Sequence, residues 1–140
     1  MRFHRPVDSK FPISSPFGTI RKLTLYNNQE KKHNGIDFAT PEGTFVYSLC
    51  DGSIFQAGWQ DKGDEKKGFG LRVWQITKIG DDYFDVFYAH LSKIECKCGD
   101  EKMPGGIIGF SGNTGSSTGP HLHVGLRNRR TQEWCNIEFL

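Results

Sequence analysis

Polar and apolar side chains alternate along most of this sequence, in short runs that glycine-containing turns separate. The run from His121 to Arg127 shows the pattern most clearly, because Leu122, Val124 and Leu126 alternate with polar residues or glycine. Successive side chains of a β-strand point to opposite faces, so the pattern predicts strands with one apolar face. No window has the period of an amphipathic helix, and the sequence contains no internal repeat. The sequence therefore predicts an all-β fold with a largely antiparallel sheet.

Two turn-forming dipeptides, Asp51-Gly52 and Gly80-Asp81, predict β-hairpins. The runs that flank the first dipeptide are Thr44–Leu49 and Ser53–Ala57, and those that flank the second are Phe69–Ile79 and Asp82–His90. Each pair of runs is expected to form antiparallel neighbours. The 17 glycines and 11 phenylalanines of the chain are typical of short aromatic strands joined by tight turns.

Shorter apolar runs predict further strands at Gly35–Ala39, Ile107–Phe110 and Asn136–Phe139, the last as a strand that could close a sheet edge. Prolines, glycines and polar residues predict the connections. These are an extended lead-in at Phe11–Arg21, a polar stretch at Asn27–Lys32, a turn at Pro41–Gly43, a charged exposed loop at Asp61–Gly68, a turn-rich segment at Gly99–Gly106 and a polar loop at Ser111–Pro120. The charged loop is interpreted as a solvated connection, with a position at the mouth of a site as the alternative. The polar loop is either the backbone-lined rim of a site or a tight connection.

Length and charge limit the classes to which the protein can belong. The 140 residues fit a single domain, residues 1–140, in which residues 1–14 form an extended lead-in. A net charge of +2 is too small to indicate nucleic acid binding. No stretch reaches the roughly 18 apolar residues of a membrane helix, and the N-terminus lacks the apolar core of a secretory signal. A soluble chain is expected, from which a leader was removed or which reaches its site by another route.

The four cysteines are expected to be mostly reduced, because a domain of this size folds without disulfides. Cys96 and Cys98 lack the two-residue gap of a usual zinc-binding pair. Cys96 alternates with Ile94 and is expected to point into the core.

The histidines are more informative by position than by number. On the predicted strand from His121 to Arg127, His121 and His123 share the face opposite the leucines and the valine, roughly 6–7 Å apart along the strand. His90 ends another predicted strand, on the side of Val86 and Tyr88. It is expected to leave the edge of the core and reach a cleft, with a core histidine satisfied by a backbone carbonyl as the alternative.

A third group is the sequence His33-Asn-Gly-Ile-Asp37. If this segment is a strand, Ile36 faces the core while Asp37, and His33 if the strand extends that far, face the other way. Asn34-Gly35 and Thr40-Pro41 disfavour the helix that a spacing of four residues would also fit. Zinc in hydrolytic sites commonly takes three ligands from His and Asp or Glu and leaves a position for water. Two histidines and one aspartate on sheet faces provide such a set.

Three ordered pieces of the chain together resemble the lysostaphin-like, or LytM-type, peptidoglycan endopeptidases. They are His33-Asn-Gly-Ile-Asp37, Tyr88-Ala-His90-Leu-Ser, and Gly109-Phe-Ser-Gly-Asn-Thr-Gly-Ser-Ser-Thr-Gly-Pro-His121-Leu-His123. The resemblance extends from about Ser15-Pro-Phe-Gly to Asn136-Ile-Glu-Phe-Leu. It implies an antiparallel sheet with a substrate groove, and no separate wall-binding module is expected in these 140 residues.

The resemblance also implies roles for individual residues. His33, Asp37 and His123 would bind one zinc ion, and His90 and His121 would be catalytic. His4 would be an exposed bystander. Tyr88 and the loop Asp61–Gly68 are further candidates for walls of the groove.

The function implied is that of a zinc metalloendopeptidase that hydrolyses peptide cross-links of bacterial peptidoglycan, acting at the cell wall as a monomer. A phage lysin would suit the missing signal. The cross-link can be a glycyl-glycine bridge or a direct link that involves a diamino acid. The alternatives are a non-catalytic LytM-type domain that binds the wall or activates a hydrolase, a virion-associated wall-binding protein, and a metalloenzyme with another substrate.

Overall fold

The computed structural model describes residues 2–23 and 29–140. In these ranges the chain forms strands and no helix, and accordingly no helix suited to crossing a membrane. The predicted polar stretch Asn27–Lys32 lies partly outside the described residues. The strands are β1 (Arg2–Phe3), β2 (Ile13–Ser15), β3 (Ile20–Leu23), β4 (Gln29–Lys32), β5 (Ile36–Phe38), β6 (Phe45–Tyr47), β7 (Gly52–Trp59), β8 (Leu71–Ile79), β9 (Asp82–Ala89), β10 (Leu91–Ile94), β11 (Glu101–Lys102), β12 (Ile107–Ser111), β13 (Leu122–Asn128), β14 (Trp134–Cys135) and β15 (Glu138–Phe139).

The principal sheet is antiparallel and has the strand order β11-β7-β8-β9-β13-β5-β2, with β14 also paired to β13. A second antiparallel sheet has the order β10-β12-β6. Strand β3 pairs with β4 in antiparallel orientation, and β1 pairs with β15 in parallel. The all-β, largely antiparallel class is confirmed. The predicted closing strand pairs with β1 and does not lie at an edge of the principal sheet.

One buried cluster joins the two larger sheets. Phe38, Val86 and Leu122 of the principal sheet belong to it, together with Val46 and Ile108 of the second sheet. All five side chains have no solvent exposure. The leucine and valine side chains of β13 face this core. The alternation of apolar and polar residues therefore correctly predicted which face of the strand is buried.

The hairpin predicted at Gly80-Asp81 is confirmed. Strands β8 and β9 pair antiparallel from Val73 opposite Tyr88 to Ile79 opposite Asp82. Gly80 has a φ of 62°, a left-handed conformation that glycine adopts without steric cost.

The hairpin predicted at Asp51-Gly52 is wrong. Strand β6 pairs with β12 in the second sheet, whereas β7 pairs with β8 and β11 in the principal sheet. The chain therefore crosses between sheets at this dipeptide. Gly52 is needed here for a different reason, because a Cβ at this position would collide with the carbonyl oxygen of Ile76 on the neighbouring strand.

A buried polar network fixes this crossing. The hydroxyl of Tyr88 accepts a hydrogen bond from the Leu49 N–H at 2.9 Å and donates one to Gln75 Oε1 at 2.6 Å. The Gln75 amide donates to the Ser48 hydroxyl and to the Cys50 carbonyl. Tyr88 has no solvent exposure, so its predicted place in a groove wall is wrong. Its hydroxyl acts inside the core, where an unsatisfied polar group would be costly.

All four cysteines are free in the structure. Cys96 packs against the core, as expected. Burial raises the pKa of the Cys50 and Cys96 thiols to about 11, so little of the thiolate that binds metals or forms disulfides is present at neutral pH.

Replacement of Tyr88 by phenylalanine is expected to lower the free energy of unfolding by about 1–3 kcal/mol. The change leaves a backbone N–H and an amide oxygen in the core without the hydroxyl that satisfies both. Urea unfolding of the variant measures the loss. Tyr83→Phe is the matched control, because Tyr83 is 53% exposed. Equal stability of the two variants would show that the buried network does not stabilise the fold.

Candidate metal centre

Strand β13 places His123 between two neighbouring strands. Its partners across the sheet are Asp37 on β5 and Ala89 on β9. Residues directly opposite each other on antiparallel strands have Cβ atoms about 4.5–5.5 Å apart, so the side chains at positions 37 and 123 meet. His33 lies shortly before β5, and its ring reaches the same point.

Three donor atoms converge there: Nε2 of His33, Oδ1 of Asp37 and Nδ1 of His123. The Asp37 and His123 atoms are 2.8 Å apart, and the His33 nitrogen lies 3.3 Å from each of them. A tetrahedral zinc ion with ligands at about 2.0–2.1 Å holds them about 3.4 Å apart. The side chains are between 7% and 11% exposed. Distances and burial therefore fit a divalent cation bound by all three atoms.

Hydrogen bonds on the far side of the His33 ring determine which nitrogen is protonated. Its Nδ1 lies 3.1 Å from the Pro16 carbonyl oxygen and 3.2 Å from the Ser15 hydroxyl. A carbonyl oxygen can only accept, so Nδ1 carries the proton and Nε2 directs a lone pair at Asp37 and His123. Lone pairs that face one another in this way need a proton or a cation between them.

Two imidazoles and one carboxylate are a donor set that suits zinc. Within the part of the chain that the structure describes, no fourth histidine, cysteine or acid joins the group, whose donor atoms all lie within 4.8 Å of one another. A cation held by these three side chains would thus keep a position for solvent or substrate.

The charges in the cluster favour the metal-binding protonation states. Burial raises the pKa of Asp37, but the hydrogen bond from His123 and the nearby His33 and His121 outweigh it and hold the value at about 2. Burial lowers the pKa of His123, against the opposing effect of Asp37. At neutral pH the aspartate is therefore ionised and His123 is neutral, as metal ligands must be.

Gly35 is a site residue because of its small size. A Cβ there would lie 2.6 Å from Cε1 and 2.7 Å from Nε2 of His123, and would also collide with the Val124 carbonyl oxygen. The backbone between His33 and Asp37 thus lies directly against the ring that it helps to position. The sequence motif contains this glycine, but only the structure shows the close approach.

His121 approaches the cluster with its second nitrogen. Its Nδ1 donates to the Gly119 carbonyl at 2.9 Å and lies 3.1 Å from the Ser117 hydroxyl. Its Nε2 is 3.9 Å from Oδ1 of Asp37, and its side chain is 20% exposed. Because Nδ1 holds the proton, Nε2 presents a lone pair beside the three donors.

His90 reaches the same place through an unusual backbone conformation. Its φ is 61°, in the left-handed region that non-glycine residues rarely adopt. Strand alternation alone would turn His90 to the core with Val86 and Tyr88. The left-handed conformation directs the ring away from the core instead, to within 4.7 Å of the His121 ring, centroid to centroid. The structure therefore brings His90 and His121 together beside the proposed metal ligands.

The surroundings of His90 keep its ring neutral. Its Nδ1 donates to the Thr114 carbonyl oxygen at 2.6 Å, and its backbone N–H donates to the Phe69 carbonyl at 2.8 Å. Its pKa is lowered to about 4, chiefly by burial and also by the neighbouring His121 and His123, against the opposing effect of the Thr114 hydrogen bond. The alternative prediction of a carbonyl-bonded histidine thus describes one nitrogen of a ring that lies beside the cluster.

Phe69 covers the cluster and was missed by the sequence analysis. Its ring centroid is 5.4 Å from that of His123 and 6.4 Å from that of His90. Phe87 and Trp134 continue this aromatic surface. No periodicity marks Phe69, because it precedes β8 and meets the histidines only through the fold.

The charged loop lies beside this cluster. It is largely exposed, as predicted, and its Glu65 and Gly68 carbonyls accept hydrogen bonds from Gly115 and Ser116 of the Ser111–Pro120 loop. His4 is half-buried and contacts Tyr47 of the second sheet, outside the histidine cluster.

Comparison with known proteins places these features in a family context. The sequence profile described as Peptidase family M23 matches residues 31–134, which include all the histidines and the aspartate of the cluster. The peptidoglycan DD-endopeptidase ShyA of Vibrio cholerae is 40% identical over 121 residues, 86% of this chain and 26% of its own length. The glycyl-glycine endopeptidase ALE-1 of Staphylococcus capitis is 42% identical over 104 residues, 74% of this chain and 26% of its own length. The chain thus spans about a quarter of the length of both relatives.

A solved structure has the same fold. A zinc-containing peptidase from Vibrio cholerae superposes with a TM-score of 0.80 and 31% sequence identity. The match covers 97% of this chain and 39% of that one.

Gly35→Ala is expected to weaken metal binding by roughly 10–100-fold, the range typical of losses when ligand orientation is disturbed. The added methyl group must displace the His123 ring or the Val124 backbone. Competition with a chromogenic chelator measures the affinity. Gly63→Ala in the exposed charged loop is the control and should bind as the unmodified chain does. Unchanged affinity of the Gly35 variant would contradict the steric role.

Acidification of the metal-free protein from pH 6.5 to 4 is expected to lower its free energy of unfolding. The pKa of His90 is about 4 in the folded protein and 6.5 in the unfolded reference state. Between these two pH values the unfolded chain therefore binds a proton at His90 that the folded chain does not bind. The stabilisation is therefore complete above pH 6.5 and is lost as the pH falls through 4.

His90→Asn should flatten part of this slope, because asparagine does not titrate and tolerates left-handed φ. Chemical unfolding at several pH values in a chelator provides the measurement. His4→Asn is the control and should keep the slope. Equal slopes for the His90 variant and the unmodified chain would contradict a buried neutral His90.

Proposed function

The chain belongs to peptidase family M23, and on that premise we propose that it is a zinc-dependent endopeptidase that hydrolyses peptide cross-links of bacterial peptidoglycan. The single observation that carries the proposal is the convergence of two imidazoles and one carboxylate, with two further histidines beside them. A binding domain does not need this combination, whereas hydrolysis uses both parts.

The metal would be held by His33, Asp37 and His123. Their donor atoms have the spacing expected for ligands of one shared ion, and the low pKa of Asp37, about 2, keeps its carboxylate ionised at neutral pH. Zinc in this place would supply a Lewis acid for the scissile carbonyl and lower the pKa of a water molecule that it binds. The remaining chemistry belongs to side chains of the chain itself.

His121 and His90 are the proposed catalytic residues. Each uses Nδ1 to donate to a backbone carbonyl, so each presents an unprotonated Nε2. An Nε2 lone pair accepts a proton from the attacking water, and the protonated ring then donates to the leaving amine. A protonated ring also stabilises the negative charge that develops on the carbonyl oxygen.

The two histidines differ in environment. Burial lowers the pKa of His90 to about 4, which makes it a weak proton acceptor. His121 is more exposed, and its Nε2 is 3.9 Å from the Asp37 carboxylate. In this proposal His121 takes up the proton, and His90 orders the reacting groups beside it.

The substrate assignment rests on the relatives. One is described as a peptidoglycan DD-endopeptidase and the other as a glycyl-glycine endopeptidase, so the shared chemistry is hydrolysis of an amide in the wall peptide. The site of action that follows is the bacterial cell wall.

Digestion of two purified peptidoglycans, one with glycine bridges and one with direct cross-links, tests the proposal. New amino termini are identified by mass spectrometry, with and without chelator. We expect metal-dependent cleavage of at least one substrate. An intact wall in both reactions, or cleavage that chelator does not reduce, would contradict the proposal.

The same assay tests the catalytic histidines. His90→Ala and His121→Ala should keep their metal and lose at least about a hundredfold in rate, the lower end of contributions from general acid–base catalysis. His4→Ala serves as the control, because His4 lies outside the cluster. Normal turnover by both variants would remove these residues from the mechanism.

A further inference from the structure

Both proposed catalytic histidines are oriented by carbonyl oxygens of one loop. His90 donates from Nδ1 to the Thr114 carbonyl at 2.6 Å, and His121 donates to the Gly119 carbonyl at 2.9 Å. Both acceptors lie in the loop Ser111–Pro120, between β12 and β13. The orientation of both proposed catalytic rings therefore depends on the position of the backbone of this loop.

The side chain of Thr114 attaches that loop to the first residues of β8 and β10. Its hydroxyl donates to the Leu91 carbonyl at 2.8 Å and accepts from the Leu71 N–H at 3.1 Å. Leu71 begins β8, and Leu91 directly follows His90. One hydroxyl group thus connects the acceptor of the His90 ring to the backbone next to His90 itself.

Two glycines allow the loop to lie close enough for these bonds. A Cβ on Gly70 would lie 2.6 Å from the Thr114 carbonyl carbon, and a Cβ on Gly115 would lie 2.5 Å from the Gly70 nitrogen. Both glycines have left-handed φ, 65° and 76°. The Gly115 N–H also donates to the Glu65 carbonyl at 2.8 Å, which holds the charged loop against the same backbone.

We infer that Thr114 is a positioning residue for His90, and that its hydroxyl holds the loop carbonyl that orients the His90 ring. The inference deepens the proposed function, because it explains how a catalytic Nε2 is aimed from a strained backbone position. Both hydrogen bonds of the Thr114 hydroxyl are made to backbone groups of the chain, those of Leu71 and Leu91. It acts through the Nδ1 hydrogen bond of His90, and displacement of a reacting group by about 1 Å can lower a rate by roughly 100-fold.

Thr114→Val tests the inference, because valine keeps the branched shape and removes the hydroxyl. We expect kcat to fall roughly tenfold or more, with metal content unchanged and KM little affected, since substrate contacts are retained. Thr114→Ser keeps the hydroxyl and should restore most of the rate. Thr118→Val, at an exposed position of the same loop, should behave as the unmodified chain does.

A second readout does not depend on turnover. In metal-free protein labelled with ¹⁵N-histidine, the Nδ1-bound proton of His90 should give a protected NMR signal that shifts or exchanges faster in Thr114→Val and recovers in Thr114→Ser. Wild-type kcat with an unchanged His90 signal in Thr114→Val would overturn the inference. A serine variant as impaired as the valine variant would also overturn it.

The two readouts separate this inference from the proposed function. If the unmodified chain cleaves no wall peptide while Thr114→Val still alters the His90 signal, the proposed function fails and the positioning contact is supported. If cleavage is metal-dependent but insensitive to Thr114→Val, the proposed function is supported and the inference fails.

Discussion

The contact between Asp37 and His123 is the interaction on which the site depends. It joins β13 to β5, which is next to the edge strand β2 of the principal sheet, and the carboxylate oxygen lies 2.8 Å from the imidazole nitrogen. A buried carboxylate is costly unless positive charge or hydrogen-bond donors surround it. Here the ring of His33 completes the surroundings, and Gly35 lets the backbone approach the His123 ring. The same arrangement that satisfies the aspartate creates a place for a cation.

The loops complete the site by fixing rings that the strands cannot orient. His33, His90 and His121 each donate Nδ1–H to a backbone carbonyl, those of Pro16, Thr114 and Gly119. This shared pattern leaves Nε2 of each of these three rings unprotonated, and the rings lie around one region. The left-handed backbone of His90 is strained, and such strain persists only where surrounding contacts overdetermine it. Hydrogen bonds to the Phe69 and Thr114 carbonyls provide those contacts.

The sequence predicted local structure better than it predicted which strands are neighbours in a sheet. Alternation identified β13, and Gly80-Asp81 identified the β8-β9 hairpin, because both signals depend on residues close in the chain. The same reasoning failed at Asp51-Gly52. There the glycine relieves a collision with Ile76, which is distant in sequence, and no local pattern distinguishes that need from a tight turn. Tyr88 was misplaced for a similar reason, since its hydroxyl is satisfied by Gln75 and Leu49 inside the core.

The class of fold, the histidines and the aspartate of the cluster, and the family that their spacing resembles could all be predicted from the order of the amino acids. These follow from side-chain alternation and from motifs of a few residues. The folded molecule was needed to show which strands lie beside β13, which nitrogen of each imidazole is free, and how His90 leaves the core side of its strand. Those properties depend on hydrogen bonds and close contacts between residues far apart in the chain, such as Thr114 with His90 and Pro16 with His33.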